Sequence, residues 1–555
     1  VRIKVLPQPA ARVDVSPQPA RLVAGSRIAL RGTAYSAQDD EREDPVVFTS
    51  SNPAVLRTTE DGRIEAVAAG RAVITAKAGS ATAQVPIEVL PNTVARLEIT
   101  PERSSVRTGD VVPFTARALD RNGRPVADVA VQWAIAATGE MGVAQIDPQG
   151  RFVAENAGQY TVTASVGGRS ADAVVDAEPR RVGRALEVVG RLPIEMRAAE
   201  VWAHPGGQCV YLSTIADRVY AVDVTAPGQP RIVDSMVTNA RLVNDVMTTE
   251  DGRYGVFSRE GASDRRNGIV IFDASDACHP RPIAEYTETV SGGVHSTYVY
   301  DGHVYLTDDA TGSIRVIDIR EPRSPKEVAR WQTENEAGRY VHDIMVVDGL
   351  AYLSYWNDGL IILDVGNGMK GGSPTSPQFV SRLKYDLDET YRRVDMMYGL
   401  GPRGTHTAWR HGNYVFVGDE VYAARPATGL ESGNDLTFGR LHVIDVSDIE
   451  NPKEVAWYEP TDGGVHNVWV VGDTLYMGAY QGGARVLDIS GELKGDLLTQ
   501  GREISWLATA DSVGARPRAT FAWGAVVKDG NIYIPDINTG LWILKLEGKR
   551  DEPVP

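Results

Sequence analysis

Cysteine is nearly absent from this chain: there are two in 555 residues, Cys209 and Cys278, too few for a disulfide-built scaffold. Cations are also in deficit. The 57 Lys and Arg against 73 Asp and Glu leave a net charge of −16. Such a chain has little with which to neutralise a phosphate backbone, which argues against nucleic acid as a partner. No apolar stretch approaches the roughly 20 residues of a membrane-spanning helix. A Ser nucleophile elbow, a Gly-rich phosphate loop after a strand and a Ca²⁺ loop of the EF-hand type are all missing. Ordinary hydrolase, kinase and dinucleotide chemistry is therefore disfavoured. The chain opens at Val1 without Met or leader and ends polar, which reads as a mature and processed chain or as part of a longer one.

What is present is punctuation and repetition. The 55 Gly and 31 Pro suit a turn-rich all-β protein. Between Leu186 and Leu546 one segment recurs seven times, and its third strand is the plainest part: VYAVDV (219–224), GIVIFDA (268–274), IRVIDI (314–319), LIILDV (360–365), LHVIDV (441–446), ARVLDI (484–489) and LWILKL (541–546). A period of roughly 45 to 60 residues carrying four short strands predicts propeller blades. The last repeat stops at its third strand, while ALEVVGRLP (185–193) matches the fourth strand of other repeats, as in KEVARW (326–331). An open sheet edge is a liability, so segment 185–192 is expected to close the ring as a velcro strand. The repeated Asp (Asp223, Asp273, Asp318, Asp364, Asp445, Asp488) reads as a turn-capping residue rather than a metal ligand.

The N-terminal third alternates with period two. TTEDGRIEAVAAGRAVITAKAG (58–79) and QIDPQGRFVAENAGQYTVTASVG (145–167) share a turn, Gly-Arg, a strand, Ala-Gly and a second strand, which predicts two tandem antiparallel sandwiches. The Ser51-Asn52-Pro53 pattern with DGRIEAVAAGRAVITA resembles the bacterial Ig-like domain, group 2, and implies a surface or secreted protein with these domains as spacers or adhesive modules. IRVIDIREPRSPKEVARW (314–331) and LHVIDVSDIENPKEVAWY (441–458) resemble the LVIVD repeat family. The expected organisation is all-β: a segment 1–8, Ig-like domains at 9–92 and 93–177, a linker at 178–184, a seven-bladed β-propeller at 185–548 and a tail at 549–555. VRIKVLP (1–7) matches VPIEVLP (85–91). Three readings stay open for Val1–Pro7: the end of a preceding domain, a strand that pairs with another chain, or a local strand of the first domain.

Alignment of the first strands gives the sharpest functional signal. GGVHSTYVYDG, YVHDIMVVDG, GTHTAWRHG and GGVHNVWVVGD place His295, His342, His406 and His466 at one structural position in four consecutive repeats. Glu200, Asn244 and Trp523 hold that position in the others. One reading is a metal site, with converging imidazoles and Glu200 as a further ligand, suited to Cu, Zn or Fe. The other is structural hydrogen bonding of the kind WD-repeat propellers use. A distant similarity to selenium-binding, methanethiol oxidase propellers implies copper on channel histidines, although only the seven-bladed build and the histidine idea match. Insertions at 386–403, 419–438 and 511–518 fall beside the same histidines, and with Asp308, Trp356, Asp419, Tyr480, Asp536 and Tyr398 they mark the expected ligand or partner face. Met396 and Met397 are soft donors or loop filler. Cys209 and Cys278 fall on one face of neighbouring repeats, where a disulfide competes with two separate thiols. His204 and His279 lie beside these cysteines and raise a Cys/His site.

Three functions follow as expectations. The first is an exported extracellular, cell-surface or periplasmic protein whose Ig-like spacers present a propeller to a protein or glycan partner, with a metal at the histidine cluster. The second is a copper or iron oxidase-like enzyme. The third is a subunit of a surface layer or filament that self-associates through Val1–Pro7.

Overall fold

A computed structural model describes residues 8–37, 41–59, 63–127, 129–138, 142–333, 339–424 and 436–548. Val1–Pro7, the tail from 549 and residues 425–435 of one insertion lie outside the described residues, and with them the strand expected to mediate self-association. The protein is nearly all β; two short helices, Leu387–Thr390 and Arg392–Tyr398, occupy the 386–403 insertion. The chain falls into two compact units, Val1–Arg180 with Lys384–Asp386, and Arg181–Leu383 with Leu387–Pro555.

In the first unit the period-two pattern becomes burial. Gly70–Ala78 and Gly158–Val166 each put alternate side chains inside. The same strand plan occurs twice. Arg21–Val23 runs parallel to the end of Ala81–Leu90, and Ser105–Arg107 runs parallel to the end of Arg169–Glu178. Each set buries its own core between facing sheets. Leu22, Leu56, Ile64 and Ile74 lie in one, and Phe114, Phe152, Tyr160 and Val162 in the other.

The second unit holds many small antiparallel sheets, compatible with a β-propeller. Among the described residues there are seven, most with strands in plain sequential order, such as Ala198–Ala203, Cys209–Thr214, Arg218–Asp223 and Arg231–Val237. One sheet departs from that order by pairing Leu186–Leu192 with Gly540–Leu546, which joins the two ends of the unit, and another adds Gly495–Asp496 parallel to Lys453–Tyr458. The first strands touch one another in a closed cycle: 198–203, 246–248, 297–300, 341–347, 400–411, 468–471, 526–528 and back to 198–203. Third strands such as Gly268–Asp273 and Gly359–Asp364 are buried on both faces, which explains their unbroken apolar runs. Cores form between neighbouring sheets; Tyr305, Ile314 and Val316 pack with Val341, Leu353 and Ile361.

The strand-end carboxylates Asp223, Asp273, Asp318, Asp364, Asp445 and Asp488 each accept the backbone N–H two residues on, at 2.8–3.1 Å. Asp364 goes further and accepts from Gly366, Gly368, Lys370 and Gly372. Burial raises its pKa, but these four donors outweigh it and hold the carboxyl at about 2. A depressed folded pKa stabilises the fold above the unfolded value near 4, and that contribution disappears as pH falls through about 2. Asp364→Asn should therefore cost roughly 2 kcal/mol at pH 7. Urea denaturation should show the gap between variant and wild type closing as the pH is lowered from about 4 to about 2.

Candidate functional site

Four imidazoles and a tryptophan follow one another ring against ring along the cycle of first strands. Ring centroids are 4.5 Å apart for His295–His342, 4.2 Å for His342–His406, 4.0 Å for His406–His466 and 4.5 Å for His466–Trp523. Backbone irregularity sets two of these rings. The pairing register shifts between Val341 and Asp343, and again between Thr405 and Thr407, so His342 and His406 are each the extra residue of a β-bulge. A bulge re-aims the side chain that a regular strand would direct elsewhere.

The rings differ in charge. Burial first, and then their imidazole neighbours, push His342 and His406 well below the usual histidine range; burial brings His466 down to about 3. These three are neutral at pH 7, and the Nδ1 of each is buried without a hydrogen-bond partner. His295 behaves in the opposite way. Burial opposes its charge, but Glu260, whose Oε1 lies 2.8 Å from Nδ1, raises its pKa to about 9. His295 is thus an imidazolium at neutral pH and offers no lone pair.

A carboxylate that sequence reasoning missed completes the cluster. Ligand atoms of His342, His406 and Glu420 all lie within 4.8 Å of one another. Glu420 is buried, and burial raises its pKa. It accepts hydrogen bonds from the hydroxyls of Tyr480 and Tyr422. The signal for Glu420 was its place in strand Tyr414–Ala423, paired with the strand that carries His406.

The expected ligand set needs correction at Glu200. It accepts from Asn467 Nδ2 and stands among Asp245 and Asp343, while the described residues that converge as a ligand triad are His342, His406 and Glu420. The expected binding face also divides. Trp356 packs 5.2 Å from His342 and Tyr480 4.8 Å from His466, so both border the cluster. Asp308, Asp419 and Asp536 are fully buried and serve the fold instead. Arg315 donates twice to Asp308. Thr509, Phe521, Asn538 and Thr539 saturate Asp536. Tyr391 of the inserted helical segment and His442 hold Asp419, each at 2.7 Å. Tyr398 stacks on Phe438, and Met396 and Met397 are exposed. A disulfide joins Cys209 to Cys278, which removes both thiolates from any Cys/His site. Both ring nitrogens of His204 are engaged, by Gly252 O and Gly206 N, and His279 pairs with Asp234.

Comparison with known proteins yields a repeat and little else. Residues 338–384 and 462–492 match the LVIVD repeat, which is typical of β-propeller-like proteins. No curated protein matches the chain. Among solved structures, the computationally designed Ika8 protein aligns at 10% identity and a TM-score of 0.41, over 65% of this chain and 99% of its own. Raptor from Chaetomium thermophilum aligns at 9% and 0.45, over 66% of this chain and 30% of its own. A Bacteroides thetaiotaomicron protein of unknown function aligns at 11% and 0.35, over 81% and 98%.

Asp419 and His442 give a direct check on the support around Glu420. Burial opposes charge on His442, yet Asp419, and Glu454 at 2.8 Å from Nδ1, raise its pKa to about 9. A raised folded pKa stabilises fully below the unfolded value of about 6.5, and that contribution is lost as pH rises through about 9. His442→Gln should destabilise by roughly 3 kcal/mol at pH 6, and denaturant titration should find a smaller deficit at pH 10.

Proposed function

We propose that this chain is an exported protein with two Ig-like β-sandwiches and a seven-bladed β-propeller, and that the propeller holds one transition-metal ion on His342, His406 and Glu420. The single observation that carries the metal reading is the meeting of those three groups within 4.8 Å, two of them as neutral imidazoles with an orphaned Nδ1. An unpaired buried polar atom costs about 1–3 kcal/mol, and three imidazoles carry one each at the same place. His342 and His466 each keep a backbone hydrogen bond, to His406 and Trp523, and still leave Nδ1 without a partner.

Two imidazoles and one carboxylate form a donor set suited to Fe, Zn or Cu. His466, beside His406, is a further neutral donor in reach of a small side-chain adjustment. Tyr480 and Tyr422 would orient the Glu420 carboxylate, as hydrogen-bonded partners of metal carboxylates do. His295 stands at the end of the row as a fixed cation beside Glu260. The seven-bladed reading rests on the closed cycle of first strands and on the pairing of Leu186–Leu192 with Gly540–Leu546. Export is supported by the disulfide, since such bonds persist mainly in oxidising compartments. The sandwiches then act as spacers. An oxidase reading draws on the same site, because three protein ligands leave coordination positions open.

Elemental analysis of the purified full-length chain, after equilibration with Fe, Zn or Cu and removal of free ion, should find one metal per chain. His406→Ala and Glu420→Gln should each lower retention at least tenfold while circular dichroism stays unchanged. A folded wild type that retains no metal, or variants that retain it fully, would overturn the proposal.

A further inference from the structure

Immediately beside the histidine row, the same first strands line a cavity of about 110 Å³. Its wall follows one rule. The residue just after the histidine position, or at that position in the first repeat, is polar, and the residue two further along is large. The chain reads Glu200-Val-Trp202, Asp245-Val-Met247, Ser296-Thr-Tyr298, Asp343-Ile-Met345, Thr407-Ala-Trp409 and Asn467-Val-Trp469, and every one of these polar and large residues borders the cavity. Strand residues two apart share a face, so the polar groups form one ring and the aromatic and thioether groups a second ring beside it. Within the second ring, Trp469 lies 4.8 Å from Trp409 and 5.9 Å from Trp202.

The polar ring has acceptors to spare. Glu200, Asp245 and Asp343 bring three carboxyl groups whose burial, and for Glu200 and Asp343 repulsion from Asp245, raises their pKa, so that a cation among them is what would hold them ionised together. Thr297 donates to Asp245, Ile344 N and Thr407 to Asp343, and Asn467 to Glu200. Two amide oxygens have no partner at all, Oδ1 of Asn244 and Oδ1 of Asn467, and Asn244 is only 5% exposed. Their orientation is fixed. Asn244 Nδ2 donates to His295 O at 3.1 Å and Asn467 Nδ2 donates to the Glu200 carboxylate, so a flipped amide would set oxygen against oxygen. The ring therefore asks for a cation that donates several hydrogen bonds. The three carboxylates do not converge within the 4.8 Å that brings His342, His406 and Glu420 together, which disfavours one shared metal ion. Aromatic faces next to the acceptors suit an organic body attached to the cation.

We propose that this cavity binds a small organic amine, with its ammonium group among Glu200, Asp245, Asp343 and the two orphaned amide oxygens, and its apolar part against Trp202, Trp409 and Trp469. A primary ammonium carries three N–H donors. An apolar cavity of about 150 Å³ accommodates benzene, so this space suits an amine of about four or five heavy atoms. The inference is independent of metal on the histidine row.

The test is calorimetric titration of the full-length, chelator-treated chain with n-butylammonium, alongside Trp fluorescence. One site per chain with a change in emission is expected. Asp245→Asn and Trp469→Ala should each weaken binding at least tenfold, with unchanged circular dichroism. Butanol, which has the same body without the charge, should not compete. Absence of binding at millimolar amine, equal binding by both folded variants, or Ca²⁺ binding that n-butylammonium cannot displace would each overturn the proposal.

Discussion

The functional reading depends on burial of imidazoles in a place where they cannot hold charge. His342, His406 and His466 come from three adjacent repeats and pack against one another, Trp356 and Trp523, and burial and the neighbouring imidazoles outweigh any pull toward the charged form on the first two. Removing water from the rings opposes the imidazolium form. The lone pairs that result are unspent, because the bulges at His342 and His406 turn these residues out of the ladder that satisfies their neighbours. A packed core avoids unpaired polar atoms, and the three at one place are what the proposed metal would satisfy.

Charge is distributed around this neutral patch with a definite order. The acid Glu260 keeps His295 cationic at one end, and the acid Glu420, masked by two tyrosine hydroxyls, faces the neutral pair. Elsewhere in the unit acidic groups are paired off by residues of their own sheet, as Arg315 does for Asp308 and His442 for Asp419. The neighbouring cavity keeps surplus acceptors, the Oδ1 atoms of Asn244 and Asn467. The two neighbouring rings of the same first strands thus have opposite needs: one offers neutral nitrogen donors, the other asks for a cation.

Much of the architecture was legible in the chain. Third strands are largely buried on both faces, so they read as mostly apolar runs, six of the seven carrying an Asp at the strand end. The one fourth-strand sequence displaced to residues 185–192 pairs with the last third strand. The four histidines were legible as a set because they share one register position. Three things escaped. Glu420 sits on a second strand that is buried without alternation, and nothing in the sequence marks it as facing another strand's histidine. Glu200 occupies the aligned position, yet its carboxylate joins Asn467 instead of the histidines, a choice of side-chain direction that a register cannot reveal. Asp308, Asp419 and Asp536 looked like a binding face because they fall with the long insertions beside the histidines; their partners Arg315, His442 and Thr509 are set by strand pairing and loop return in the folded sheet. The polar-then-large rule of the cavity was also written in the first strands. It stayed hidden because it is a rule about pairs of positions across six repeats, each with different residues.

The central claim is that the imidazoles of His342, His406 and His466 are neutral and that the Nδ1 of each is unpartnered in the metal-free protein. Nitrogen-15 NMR of histidine-labelled chain, assigned with single-histidine variants and followed from pH 4.5 to 8.5, tests it most directly. The account predicts that these three rings remain neutral across the whole range, while His295 remains charged to near pH 9. Ordinary titration of His342 and His406 near pH 6.5 would contradict it, because rings that accept a proton so readily are neither buried nor held in waiting for a metal.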